Sequence, residues 1–298
     1  MEITPCATDE DYEAWRTVRM TVVPGERCDT VAELRAQDSP TRLLLLARTD
    51  GTVVGSGMAD RSETTGGAFA TARVVPEHRR RGVGSAILRV LADHGAALGL
   101  PELRASVDDE GSLAFAHAFG FVEVDRQVEQ VRAVGDEPAP SALPPGVSVI
   151  ELGERPELWA ECYDTFGVEV LSDFAVFEPL DISAERWNSS WAGDPMFLAL
   201  YDGEVIGCAG VHRDTDQPQR GENALTAARR DWRGRGIASH LKRRTLQWAA
   251  ENGLTELYTW TQAGNTSMLR LNEHLGYVTG QQSVTLARPL PLSDASSV

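Results

Sequence analysis

Two segments of the sequence, residues 79–85 and 233–239, combine arginines with closely spaced glycines. Glycines let backbone N–H groups approach a phosphate closely, and arginines add charge-assisted hydrogen bonds. These residue types therefore suit the binding of a compact anion such as a pyrophosphate. The residues predicted to form the two sites are Arg79, Arg80, Arg81, Gly82, Val83, Gly84 and Ser85 in the first segment, and Arg233, Gly234, Arg235, Gly236, Ile237, Ala238 and Ser239 in the second.

Each of these Arg/Gly segments stands between a predicted strand and a predicted helix. Strands are expected near residues 68–75 and 224–228. After the glycines, apolar residues return at helical spacing, as at Ile87 and Leu91 in the first copy. The start of a helix has unpaired N–H donors and the positive end of the helix dipole. Both segments are therefore predicted to be anion sites at helix N-termini.

The two segments belong to a long internal repeat with an offset of 154 residues (233 − 79). The same offset aligns residues 99–103 with residues 253–257 without a gap. A repeat of this length indicates a duplicated domain. The proline-rich stretch 135–146 predicts an extended linker. We therefore expect domains at residues 1–134 and 147–298.

Three kinds of phosphate-binding turn fit this arrangement, and the sequence separates them. A P-loop requires Gly-Lys-Ser/Thr, which neither copy has. A dinucleotide-binding turn requires a third glycine, where this chain has Ile87 and Leu241. The remaining pattern, Arg-x-x-Gly-x-Gly/Ala, resembles the acetyl-CoA pyrophosphate loop of GNAT N-acetyltransferases. Residues 265–277, from Asn265 to Leu-Gly-Tyr, resemble a later motif of that family.

The resemblance covers nearly the whole chain and implies its fold. We expect an α/β (α+β) protein of two tandem GNAT-like domains, each a mixed, largely antiparallel sheet flanked by helices. The tandem layout is similar to that of mycothiol synthase and other actinobacterial double-GNAT proteins. The resemblance also implies acetyl-CoA as a co-substrate, with its pantetheine arm lying between splayed strands. The further residues expected to contact it are Val74, Val75, Ala227, Ala228 and Asn265.

The activity implied is an N-acetyltransferase that moves an acetyl group from acetyl-CoA directly to the amine of a small molecule. An alkyl amine is mostly protonated at neutral pH, so the reaction needs a base. Glu222, at the start of the strand before the second loop, is the predicted base, and His212 is a second candidate. For each of them a solvent-exposed surface position is the alternative interpretation.

The family's usual acid is missing from both copies. A tyrosine often stands four residues before the closing Gly-aromatic pair, and this chain has Ala116 and Asn272 there. Asn272 is predicted to hydrogen-bond the departing thiolate, with water or another group supplying the proton. We expect the second copy to be catalytic. The missing tyrosines leave open an alternative, a non-catalytic protein that binds CoA or sequesters a small molecule.

The amino-acid composition limits the classes of molecule that the protein is expected to bind. The net charge of −16 disfavours nucleic acid and anionic membranes, and it favours a cationic small-molecule amine as acceptor. The four cysteines are scattered singly, so we predict no metal site. The sequence has no apolar stretch of membrane-spanning length and no secretory signal, so a cytoplasmic protein is expected. Two domains in one chain are compatible with a monomer or a homodimer.

Two further features of the sequence, a basic cluster and a pair of tryptophans, each allow two interpretations. A basic cluster between Arg229 and Arg244 contains the chain's only lysine, Lys242, and is either an anion site or a solvated helix face. Trp187 and Trp191 lie in a long connection and belong either to the core or to a substrate wall.

Overall fold

The chain forms two compact units, seen in a computed structural model that describes residues 1–24, 28–62, 66–174, 182–191, 195–214 and 217–292. Unit 1 comprises Met1–Asp125 and the C-terminal segment from Val284, and unit 2 comprises Arg126–Ser283. No described helix is both long and apolar enough to cross a membrane. Within the same ranges, no group of three or more His, Cys, Asp or Glu side chains could hold a metal ion.

Unit 1 is a mixed sheet flanked by helices. Its strands are β1 (Glu2–Pro5), β2 (Leu43–Thr49), β3 (Thr52–Arg61), β4 (Ala68–Val74) and β5 (Glu102–Val107), and its helices are α1 (Asp9–Val22), α2 (Val31–Ala36), α3 (Val83–Ala97) and α4 (Glu110–Ala118). The strands pair in that order, antiparallel except for the parallel β4–β5 pair. Beyond β5, residues 284–289 add an antiparallel sixth strand.

The two faces of the unit 1 sheet bury different side chains, because neighbouring residues of a strand point to opposite faces. On β4, Ala68 and Ala70 pack with Ile87 and Leu91 of α3 in one apolar cluster. Phe69 lies between them in sequence and points to the other face, which α1 and α2 cover. Helix α3 and the loop before it are thus held on one face by the central strands.

Unit 2 repeats this plan. Its strands are β6 (Val122–Ala133), β7 (Val147–Glu151), β8 (Met196–Tyr201), β9 (Glu204–Arg213), β10 (Arg220–Ala228), β11 (Glu256–Gln262) and β12 (Val278–Pro289), and its helices are α5 (Glu157–Glu161), α6 (Val168–Phe174), α7 (Ala184–Trp191), α8 (Ile237–Glu251) and α9 (Thr266–His274). The sheet order is β7-β8-β9-β10-β11-β6, with β10 and β11 parallel and the other pairs antiparallel. In β6 and β12 only one portion belongs to this unit.

The last strand of each sequence repeat is exchanged between the units. Residues 127–133 of β6 pair with β11 in unit 2, and residues 284–289 of β12 pair with β5 in unit 1. The compact units consequently divide near Asp125 and Ser283. The boundaries predicted from the repeat, residues 1–134 and 147–298, describe the duplication in the sequence and differ from these units because of the exchange.

Two tryptophans form the centre of an apolar cluster beneath the helices that precede β8. Trp187 is 0% exposed, and its ring stacks on Trp159 with centroids 4.3 Å apart. The indole nitrogen of each donates a hydrogen bond to the main-chain oxygen of the other, at 2.9 and 3.1 Å. Trp187 is therefore a core residue and not part of a substrate wall, whereas the side chain of Trp191 lies outside the described residues.

Candidate active site

The two Arg/Gly loops have the same backbone shape. Gly82 and Gly236 both have φ of +82°, which favours glycine, and each is followed directly by a helix, α3 at Val83 and α8 at Ile237. Neither helix start has a hydrogen bond from a capping side chain. The first-turn N–H groups of both helices are thus left to water or to an anion.

The first arginine of each loop stabilises the loop itself. Arg79 Nε donates to the oxygen of Val74 at 3.1 Å, and Arg233 Nε donates to the oxygen of Ala228 at 3.1 Å. These bonds tie the loop to the end of the strand before it. Arg233 also forms an ion pair with Asp173 of α6. These arginines therefore hold the loop in its shape, and their positive charge would also attract a bound anion.

The loops differ at their second residue. In unit 1 Arg80 adopts a left-handed conformation with φ of +60°, whereas unit 2 has Gly234 there with φ of +72°. A side chain in this conformation carries strain of about 1–2 kcal/mol, which glycine avoids. In unit 2 the Arg235 guanidinium lies 4.8 Å from the centre of the Trp232 ring. The unit 2 loop thus adopts the shared shape with less strain.

The other predicted loop residues lie on the loop or on the first helical turn. These are Arg81 on the loop and Gly84, Ser85, Ala238 and Ser239 at the helix starts, while Val75 follows the end of β4 and Ala227 lies near the end of β10. Apart from Asn265, the residues predicted to bind the co-substrate in each unit thus lie on one strand end, the loop after it and the first turn of one helix.

The central parallel strands diverge in both units. In unit 2 the pairing of β10 with β11 extends only from Arg220 to Glu222. In unit 1 the β4–β5 pairing covers only Ala68 and Phe69. Beyond these residues the facing edges of the two parallel strands are unpaired in each unit. The structure describes these strands along their whole length. Each unit therefore has an open cleft that leads to its Arg/Gly loop, as expected for a site that receives an extended arm.

Strand β10 contains a bulge that its counterpart β4 lacks. The register of β10 with β9 shifts between Asn223 and Thr226, whereas β4 pairs with β3 in constant register. A bulge interrupts the ladder and re-aims the side chains beside it, and bulges are frequent next to active sites. The Thr226 hydroxyl is buried without a hydrogen-bond partner among the described residues. A ligand lying along β10 could supply that partner.

Glu222 lies just before this bulge, at the end of the β10–β11 pairing. It stands opposite His212 on β9 and opposite Tyr258 on β11. Burial raises the pKa of the Glu222 carboxyl, while the nearby His212 and a hydrogen bond from the Tyr258 hydroxyl oppose that rise. The half-buried carboxyl is not the fully exposed surface group of the alternative interpretation. A carboxyl with a raised pKa suits general-base catalysis.

Asn272 lies in a buried polar network. Its side chain is 0% exposed. Its oxygen accepts a hydrogen bond from Lys242 Nζ at 2.6 Å, and its nitrogen donates to the oxygen of Gln130 at 2.8 Å. A side chain so enclosed does not contact a ligand in this arrangement. We therefore assign Asn272 to the network and correct its predicted contact with the thiolate. Its counterpart Ala116 is also buried.

Asn265 caps a helix, a structural role that its sequence motif indicates only in part. Its side-chain oxygen accepts a hydrogen bond from the Met268 N–H at 3.2 Å and caps the start of α9. In unit 1 Asp109 caps α4 in the same way, accepting from the Ser112 N–H at 2.9 Å. The cap orients the helix beside the cleft. A contact between Asn265 and acetyl-CoA stays a prediction.

Sequence reasoning did not single out Lys242 and Gln130 as parts of a buried network. Lys242 is 1% exposed, so both interpretations of its place in the basic cluster are wrong for this residue. A signal was present in the sequence, because Lys242 lies between Leu241 and Thr245 on the buried stripe of α8. Gln130 had no such signal, since its position follows from the strand exchange.

Comparison with known proteins identifies a single family for both halves. The model of the Acetyltransferase (GNAT) family matches residues 7–121 and 157–277. Mycothiol acetyltransferase of Brachybacterium faecium is 29% identical over 225 residues, which span 72% of this chain and 66% of that protein. Mycothiol acetyltransferase of Thermomonospora curvata is 29% identical over 259 residues, which span 83% of this chain and 82% of that protein.

Solved structures share the fold over the whole chain. A tandem GNAT protein from the clavulanic acid biosynthesis pathway has a TM-score of 0.77 at 20% identity and covers 98% of this chain and 99% of its own. A GCN5-related N-acetyltransferase from Sphaerobacter thermophilus has a TM-score of 0.74 at 19% identity, covering 99% and 98%. The predicted resemblance, fold class and activity are confirmed, and no match favours the non-catalytic alternative.

Proposed function

Because this chain belongs to the Acetyltransferase (GNAT) family and is an acyl-CoA-dependent N-acetyltransferase, we propose that unit 2 carries the reaction. In this proposal Glu222 is the general base, and a primary amine of a small molecule is the acceptor. The observation that carries the proposal is the position of Glu222. Its half-buried carboxyl stands where β10 and β11 diverge and directly before the bulge that unit 1 lacks.

The cleft of unit 2 suits the acetyl-CoA that the family uses. The uncapped start of α8 would hold the pyrophosphate, with Gly234 and Gly236 keeping side chains away from it. The open edge of β10 would pair with the pantetheine arm, and the Thr226 hydroxyl lacks a described partner there. Bound acetyl-CoA supplies the activated acetyl group.

Glu222 would act on the acceptor. A protonated amine cannot attack a carbonyl carbon, so the carboxylate takes its proton directly or through one water. Tyr258 donates to the carboxylate and fixes its orientation, while His212 lies opposite Glu222 on the neighbouring strand β9. The burial that raises the pKa of Glu222 also makes the carboxylate a stronger base. With Asn272 buried in the network, water is the proposed proton source for the departing thiolate.

The acceptor is proposed to be a small cationic amine. The net charge of −16 attracts such molecules at long range. The relatives carry the name mycothiol acetyltransferase, so the acceptor of that reaction comes first in a panel, ahead of amino sugars and peptide amines. Release of CoA that depends on the added amine measures turnover.

Replacing Gly236 by glutamate tests the assignment of unit 2. The new carboxylate would stand at the helix start where the pyrophosphate is expected, so we predict loss of acetyl-CoA from this unit and a fall in turnover of about 100-fold or more. Native mass spectrometry counts the acetyl-CoA bound per chain, and the panel assay gives the turnover.

Gly203→Glu is the matched control for Gly236→Glu. Gly203 has the same φ of +82° and, like Gly236, nothing within 4 Å of an added Cβ. It lies in a hairpin turn, so its variant carries the backbone strain without affecting the anion site. Gly82→Glu makes the equivalent change in unit 1. If turnover disappeared with Gly82→Glu and survived Gly236→Glu, the catalytic unit would be unit 1.

A further inference from the structure

We propose that unit 1 contains a second ligand site, a cavity lined with arginines that binds a small organic anion with an apolar body. It lies apart from the Arg/Gly loop of that unit, on the opposite face of the sheet from α3. The proposal goes beyond the acetyl transfer assigned to unit 2 and does not depend on it.

The cavity has the size and walls of a small-molecule site. Its volume is about 400 Å³, within the usual range for ligand pockets. Its apolar wall comes from α1, α2, β3 and β4, through Trp15, Leu34, Met58 and Phe69. Trp15 is 3% exposed, and its indole nitrogen donates to the Gly57 oxygen at 2.9 Å, which fixes the ring. The wall is therefore rigid on its aromatic side.

The charged groups of the cavity are mostly cationic. Three arginines, Arg19, Arg42 and Arg73, line it together with one carboxylate, Asp29. Asp29 accepts a hydrogen bond from Gln37 at 3.1 Å. Three guanidinium groups at one cavity contrast with a chain of net charge −16. Cations gathered at a half-enclosed apolar site favour an anion there, because charges interact more strongly away from bulk water.

Two of the guanidinium groups are held in place beside the apolar wall. Arg42 donates through Nη1 to Gln37 at 2.5 Å, while its Nε is buried and has no acceptor among the described residues. The Arg73 guanidinium lies 5.7 Å from the centre of the Trp15 ring. A buried donor without an acceptor costs free energy that a ligand oxygen would recover. Carboxylate and phosphate are the groups whose oxygens suit guanidinium donors.

Among the described residues, the side chains beneath the equivalent helices of unit 2 pack differently. There the stacked rings of Trp159 and Trp187 fill the space beneath the helices, and Phe166 and Val170 pack beside them. The two units have thus diverged on this face.

Fluorine NMR on the full chain tests the proposal with three probes of one shape: fluorophenylacetate, fluorophenyl phosphate and fluorobenzylamine. We expect both anions to bind and the amine not to bind. The anion that binds with the higher affinity indicates whether the head group of the natural ligand is a carboxylate or a phosphate. Arg42→Gln and Arg73→Gln should each weaken binding of the anions about tenfold or more.

Two further variants locate the probe. Arg61→Gln removes an exposed arginine of the same unit and should leave binding unchanged. Gly82→Glu alters the Arg/Gly loop and should also leave it unchanged. An unchanged circular dichroism spectrum and an unchanged unfolding transition show that the Arg42 and Arg73 variants are folded. Equal binding of the amine, no binding of either anion, or loss of the probes with Gly82→Glu and not with Arg42→Gln would overturn the proposal.

Discussion

Replacing Glu222 by glutamine is expected to lower kcat/KM for the acceptor amine by about 10²- to 10⁴-fold, the usual contribution of a positioned general base. The amide has nearly the same shape and still accepts a hydrogen bond from Tyr258, but it cannot take a proton. Acetyl-CoA binding should change little, because Glu222 lies at the far end of the cleft from the loop. Steady-state kinetics and acetyl-CoA binding on the same preparation measure both effects.

The pH profile of the wild-type protein provides a second readout. Burial raises the pKa of Glu222 above the ordinary value of a glutamate. The base acts only when it is ionised, so kcat/KM should rise with pH through that raised pKa. This limb should be absent from the residual activity of Glu222→Gln. Glu251→Gln, at the exposed end of α8, is the control, and an equal fall in both variants would contradict the assignment.

The loops could be predicted from sequence because their chemistry is local. The left-handed backbone at Gly82 and Gly236 and the helix that follows are determined by neighbouring residues. The repeat added independent support, since the same pattern stands at equivalent places in two sheets. Glu222 could also be proposed as a candidate base, because it is the carboxylate at the start of the strand before the loop. Its partner Tyr258 could not be, because two parallel strands meet there only after folding.

The exchanged strands could not be predicted for a related reason. Strands β6 and β12 end equivalent repeats, so each satisfies the local pattern of either sheet, and pairing is decided by contacts distant in sequence. The residue types of β10 do not predict its bulge either, yet the bulge distinguishes the cleft of unit 2 from that of unit 1. Residue patterns identified two candidate sites, and tertiary structure is needed to rank them.

Lys242 illustrates the limit of a charge pattern and leads to a prediction with a large effect. It lies in a basic stretch of sequence, but its Nζ is buried against Asn272 and lies 4.9 Å from the centre of the Tyr277 ring. Burial lowers the pKa of its ammonium group to about 7. Because Lys242 is the only lysine of the chain, isotope-labelled lysine gives a single NMR signal. We expect its titration midpoint near 7, and a midpoint near the ordinary 10.5 would contradict the prediction.

The lowered pKa of Lys242 also makes the stability of the folded protein depend on pH, in a direction that can be predicted. Between pH 7 and 10.5 Lys242 is neutral in the folded protein and protonated in the unfolded chain, so the unfolded state binds more protons. The free energy of unfolding should therefore rise with pH across this window, by about 1.4 kcal/mol per unit from this group. Lys242→Met removes the group, so the difference between wild type and variant in urea unfolding isolates its slope. A difference independent of pH would mean that folding does not lower the pKa of Lys242, and it would contradict the prediction.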